Sequence, residues 1–213
     1  MVHFLSDFIQ IKVNVKSVIL PSLILVHQNH LKRSLQMDKF QVLATEIALI
    51  KSQEIQEWVR NSLNNTPDYF YKGWASSTGK YHPACTCKDG GLVVHVKRAV
   101  YITNRLCGGW GIEGEDRDIV LAATILHDIA KVARGSGPYA DYVNHPINAN
   151  KYLVQKDGDV YKKIYDCIRF HMGLWTPDSI KKPIKDYTLL ELIVYTADYM
   201  ATTKDLITPI DNG

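Results

Sequence analysis

Apolar residues recur at helical spacing along most of the chain, and the intervals between these stretches are polar and rich in turn formers. From Phe40 to Leu63 the positions Val42, Leu43, Ile47, Ile50, Ile55 and Val59 predict one long amphipathic helix. Asn64, Asn65, Thr66 and Pro67 stop it, and the Tyr-, Trp-, Ser- and Gly-rich stretch from Asp68 to Gly91 predicts a long loop. Loops of that length inside a compact domain are usually functional or disordered. Leu92, His95, Ala99, Ile102 and Leu106 share one stripe of a second helix, which begins after Gly90-Gly91 and ends near Leu106. Gly108, Gly109, Gly111 and Gly114 then break the pattern. Glu115, Asp116 and Asp118 open a third helix where its dipole favours negative charge. The body of that helix, Ile119 to Lys131, is apolar on nearly every side, as expected of a buried central element.

Further along, His145-Pro146 opens a short helix, and Asp157-Gly158-Asp159 separates it from one whose Val160, Ile164, Ile168 and His171 share a face. A linker carrying Pro177, Pro183 and several lysines leads to a last helix, Tyr187 to about Thr203, in which Asp198 sits among Ile193, Val194, Ala197 and Ala201. With no strand-rich region and no internal repeat, the expected fold is all-α, a single-domain helical bundle with a long loop before its second helix. A chain of 213 residues suits one core. That domain is expected over residues 37–213, and 1–36 form an uncertain N-terminal extension. The apolar run Val18 to Val26 in it is too short for a bilayer, which needs about 20 residues. Asp7 and the lack of a small-x-small pattern argue against a secretory signal.

Composition narrows the reading only a little. Hydrophobic residues at 46% and charged residues at 22% are those of a globular protein, so disorder is not expected. A net charge of +3 is too mild for a nucleic-acid-coating protein but leaves room for a basic rim around an anionic substrate. Cys85, Cys87, Cys107 and Cys167 form no disulfide framework, which points to the cytoplasm. Gly73 to Lys80 has its glycines spaced wrongly for a P-loop, and Tyr81 stands where Ser or Thr would bind magnesium. Cys85-Thr-Cys87 lacks the second ligand pair a zinc site requires.

The chemistry lies elsewhere: His95, the adjacent His127-Asp128, His145, His171 and Asp198, each on a different predicted helix except the doublet. A lone histidine on an apolar stripe is usually a satisfied core residue, but several such groups facing one core are costly unless they are paired or bound to cations. Imidazoles with carboxylates suit manganese, iron, magnesium or zinc, and this many ligands suits one or two ions. Lys131 follows the doublet by about a turn and is placed to hold a phosphate oxygen.

The order His, His-Asp, His, His, Asp resembles the HD superfamily of metal-dependent phosphohydrolases, over roughly Gly73 to Lys204. The resemblance implies His95, His127, Asp128 and Asp198 as the core metal set, with His145 and His171 matching the additional ligands of a two-metal branch. In that branch the doublet is commonly followed by Ile-Gly-Lys; here Ile129-Ala130-Lys131 keeps the lysine. Ser77 to Pro83 and Gly90-Gly-Leu-Val-Val-His95 are similar to compact HD proteins of bacteria and phages and to the HD part of a 3′-to-5′ exoribonuclease group. No OB-fold-like domain and no GYP signature accompany them.

The expected activity is therefore hydrolysis of a nucleotide or oligonucleotide phosphate ester, with Asp128 and Lys131 catalytic and Lys80, His82 and Arg98 contacting substrate. The partner is a small phosphorylated molecule or short RNA, not a membrane. Two other readings are a di-iron oxygenase of the myo-inositol oxygenase type and a catalytically silent nucleotide-binding regulator.

Overall fold

The apolar stripe from Phe40 to Leu63 does not run as one helix. In the computed structural model, which describes residues 39–76, 79–132 and 143–212, a 3-10 turn at Lys39–Leu43 leads into α1 (Ala44–Ile47), and α2 (Gln53–Asn65) starts afresh. The cause is Asp118, 66 and 67 residues away in sequence, whose buried carboxylate accepts from Ser52 N at 2.8 Å and Lys51 N at 2.9 Å. Ser52 then caps α2 by accepting from Ile55 N at 3.3 Å, satisfying one of the donors a helix start leaves open. Asp118 thus serves a neighbouring chain segment rather than the start of its own helix. The expectation for residues 1–36 lies outside the described residues.

The stretch from Asp68 to Gly91 is shorter as a loop than its composition predicts. It holds α3 (Asp68–Lys72) and a 3-10 turn at Ala84–Thr86. It is folded back on itself by Ala75 N to Thr86 O at 2.9 Å, Gly90 N to Lys72 O at 3.0 Å and Leu92 N to Gly73 O at 2.9 Å. Gly91 is the tight point, because a Cβ there would lie 2.2 Å from the Thr86 carbonyl oxygen. Only glycine allows that approach.

From this point α4 (Gly91–Trp110) runs a full turn beyond its expected end. Gly108 and Gly109 are exposed and remain helical, and Gly111, at φ +66°, is the residue that stops it. The buried central element is α5 (Gly114–Leu126), with every residue from Asp118 to Leu126 buried. It packs against α4, α2, α7 (Asp159–Phe170) and α8 (Leu189–Ala201), while the short α6 (His145–Asn148) lies against α7. Thr188 and Glu191 close a capping box at the start of α8, through Glu191 N to Thr188 Oγ1 at 3.3 Å and Thr188 N to Glu191 Oε2 at 2.7 Å. The fold is all-α, with no strand among the described residues. No helix among them is long and apolar enough to cross a membrane.

Arg98 departs from expectation. It is fully buried, and its guanidinium donates from Nε to Ala201 O at 3.1 Å and from Nη2 to Leu206 O at 2.9 Å and Thr203 O at 3.2 Å. Its Nη1 pairs with the Asp211 carboxylate. A group expected to meet substrate therefore fastens the segment after α8 to α4. Such a fork matches several fixed acceptors at once, which an ammonium does not.

Candidate metal centre

Five of the six expected metal-binding side chains, those of His95, His127, Asp128, His145 and His171, are at most 3% exposed, and all six converge. His95 comes from the first half of α4, His145 from the start of α6 and Asp198 from α8. The other three lie just past helix ends: His127-Asp128 after α5 and His171 after α7. This position matters because the last carbonyls of a helix lack intrahelical partners. His127 Nδ1 donates to Thr124 O at 2.7 Å and His171 Nδ1 donates to Ile168 O at 2.6 Å, the same three-residue step in both. A carbonyl can only accept, so each Nδ1 carries hydrogen and each Nε2 is the ring nitrogen turned toward the pocket. Thr124 is itself held by its hydroxyl, 2.7 Å from Val120 O and 2.9 Å from Thr103 Oγ1.

Two half-sites share Asp128. Its Oδ2 lies 3.4 Å from His127 Nε2 and 3.7 Å from His95 Nε2, on the side where Asp198 Oδ1 stands 2.9 Å from His95 and 3.5 Å from His127. Its Oδ1 lies 2.9 Å from His145 Nε2 and 3.7 Å from His171 Nε2, and those two nitrogens are 3.1 Å apart. One carboxylate thus presents an oxygen to each set of imidazoles. Despite its near neighbours, the buried Asp128 Oδ1 receives no aligned hydrogen bond. Two carboxylates and four imidazoles gathered in one pocket, with the Lys131 ammonium beside Asp128, are a donor set that fits a divalent cation.

Electrostatics point the same way. Burial opposes charge on His127, yet the carboxylates of Asp128 and Asp198 outweigh it and hold the imidazole up at about 10. The field that holds a proton there would hold a cation. Burial alone would raise Asp128, but the Lys131 ammonium and His127 keep it well below the usual carboxylate range; His127 and His95 do the same for Asp198. Burial, together with the neighbouring His127, pushes His171 down to about 3. These opposed environments within one pocket are the pattern of a functional site.

Around the ligands, Lys131 Nζ lies 2.9 Å from Asp128 Oδ2 and is almost entirely buried. His82 is half-buried with its ring centroid 5.7 Å from that of His95, and its Nδ1 is buried without a hydrogen-bond partner. Burial, followed by the nearby His95 and Lys131, brings it down to about 3, so it presents a neutral imidazole. Lys80 is exposed, with Nζ 5.0 Å from the centroid of the Tyr81 ring. The pocket opens at Asp198, whose side chain is 19% exposed. Sequence reasoning missed Thr124 and Ile168, whose backbone carbonyls aim two of the imidazoles. The available signal was a histidine following three residues behind each at a helix end.

The HD domain family model matches residues 92–203, more than half of the 213-residue chain, and the chain belongs to that family of the metal-dependent phosphohydrolase superfamily. The match begins just past Gly91, so Lys80 and His82 precede it. No curated protein and no solved structure matches the chain.

Proposed function

We propose that the chain hydrolyses a phosphate ester of a nucleotide or oligonucleotide with one or two divalent cations, manganese, iron, magnesium or zinc, held by His95, His127, Asp128, His145, His171 and Asp198. The observation that carries this reading is the Asp128 carboxylate, with one oxygen toward each half-site. A bound divalent ion supplies Lewis acidity and lowers the pKa of a coordinated water from about 15.7 toward about 7. The protein's own part is positioning. Lys131 places an ammonium beside Asp128 Oδ2, where it would neutralise a phosphoryl oxygen. His82, with its buried Nδ1 unpaired and its ring 5.7 Å from that of His95, would hydrogen-bond a phosphate oxygen as a neutral group, and Lys80 supplies positive charge on the outer loop. Burial keeps water from competing for these contacts and strengthens them.

The free state of all four cysteines fits a reducing compartment, and we place the protein in the cytoplasm on that ground. The test is a hydrolysis screen of metal-replete protein over nucleoside mono- and triphosphates, cyclic nucleotides and short RNA, with manganese and with iron, beside Asp128→Ala. Turnover of at least one class that the substitution removes is expected. No turnover across the panel refutes the reading, and oxygen-dependent conversion of a phosphate-free polyol would replace it with an oxidative one.

A further inference from the structure

The six ligands do not explain the surface beside them. Along α8, Tyr195 stands one turn before Asp198 and Tyr199 follows it directly, so the two tyrosines bracket in sequence the expected ligand whose side chain is 19% exposed. From there a series of rings leads away: Tyr199 to Tyr195 at 6.3 Å between centroids, Tyr195 to Tyr187 at 6.1 Å, and Tyr187 to Phe170 at 5.9 Å. Phe170 directly precedes His171, so the series is anchored to the metal site at both ends of its sequence. Tyr187 Oη donates to Phe170 O at 2.9 Å, fixing that rung.

The turn Gly173–Trp175 follows His171 and lies on this series. Gly173, at φ +55°, sits so close to Tyr195 that a Cβ would be 2.2 Å from a ring carbon. The turn leaves Leu174 68% and Trp175 76% exposed, and Tyr199 is 61% exposed. Large aromatic groups left this open next to a packed ring series are suited to contact with a ligand.

The charges around the series select the occupant. Lys182 Nζ lies 5.1 Å from the Phe170 centroid and 5.7 Å from that of Tyr187, while also pairing with Glu191 at 2.7 Å; the Arg169 guanidinium lies 5.8 Å from the Phe170 centroid. Exposed Lys185 stands on the same linker, as does exposed Lys181, which pairs with Asp178 at 3.2 Å. Aromatic faces interleaved with cations, running up to a site built for a phosphate, suit bases that stack while their backbone meets positive charge. An apolar protein partner would not call for the cations.

We propose that Trp175, Tyr199 and the ring series behind them form a base-stacking platform, so that the substrate is a single-stranded oligonucleotide led across the platform into the metal pocket. This rests on the phosphohydrolase reading for its direction, but its test does not. Anisotropy of a short fluorescein-labelled phosphorothioate oligonucleotide, compared with an abasic strand of the same length, is measured on metal-replete full-length protein and on Trp175→Ala, Tyr199→Ala, Trp175→Phe and Tyr199→Phe. Each alanine variant should weaken binding of the base-bearing strand by about 5- to 100-fold. Binding of the abasic strand should change little, and the phenylalanine variants should retain most of the preference for bases. Both side chains are largely exposed, so circular dichroism should show intact folds.

Equal affinity of wild type for base-bearing and abasic strands overturns the proposal, as does an alanine variant that binds both as wild type does. So does concentration-dependent self-association that the alanine variants abolish while strand affinity stays unchanged. A chain that stacks bases but hydrolyses nothing refutes the proposed reaction and leaves the platform standing. One that cleaves nucleotides without favouring bases does the reverse.

Discussion

Replacing Arg98 by alanine separates two roles that look alike in sequence. A substrate-contacting arginine can be removed with little change in stability, whereas this one is fully buried and holds Ala201 O, Thr203 O, Leu206 O and the Asp211 carboxylate. Its loss leaves three carbonyls without their donor, together with a carboxylate that keeps only Thr208 N at 2.6 Å, Thr208 Oγ1 at 3.1 Å and Cys85 Sγ at 3.3 Å. Removing a fully buried guanidinium from a carboxylate and three carbonyls costs about 3–5 kcal/mol. For a chain of this size, 1 kcal/mol shifts the melting temperature by about 2–4 °C, so the melt should fall by roughly 6–20 °C. Arg98→Lys should recover only part of this, because a point charge cannot reach the same acceptors as a planar fork. Thermal melts and urea unfolding followed by circular dichroism read the effect. Because Arg98 ties down the end of the helix carrying Asp198, metal content after dialysis should fall as well. A melting temperature within about 2 °C of wild type, with the loss confined to substrate affinity, would refute the structural assignment and return Arg98 to the substrate.

Four further outcomes follow from the same geometry. Asp128→Ala should empty both half-sites, whereas His145→Ala should lower the metal-to-protein ratio without abolishing retention; elemental analysis of dialysed protein checks both, and unchanged metal in Asp128→Ala would refute the shared carboxylate. In metal-free protein, His171 is held at about 3 against an ordinary 6.5, so its contribution to stability is present above pH 6.5 and is lost as pH falls toward 3. His127, held at about 10, contributes stability that is present below pH 6.5 and lost as pH rises through 10. Urea midpoints of the metal-free protein should therefore decline on both the acid and the alkaline side, and a flat profile would contradict these environments. Gly91→Ala would press a Cβ to within 2.2 Å of a backbone oxygen that no side-chain rotation can relieve, and should cost about 1–3 kcal/mol in urea unfolding. Thr188→Ala removes one half of the α8 capping box and should cost about 1 kcal/mol, with no loss on Thr188→Ser.

The helical class, the apolar faces of α4, α5, α7 and α8, and the identity of the six metal-ligand candidates were legible from the residues alone. Each of these is carried by local periodicity, or by residue types whose burial is costly unless they converge. What the residues alone left undecided were long-range contacts. The break between α1 and α2 depends on Asp118, which lies far off in the chain, and a helical stripe through Phe40 to Leu63 carries no trace of it. Arg98 stands one turn from His95 in sequence, yet its partners come from the end of α8 and the segment after it, so only the folded chain turned a candidate substrate contact into a clamp. Likewise, spacing alone could not show that Asp128 offers one oxygen to each half-site, or that two histidines are aimed by the open carbonyls at the ends of their own helices. Periodicity records which way a side chain faces along its own helix; which atoms it meets is decided by chain brought in from elsewhere.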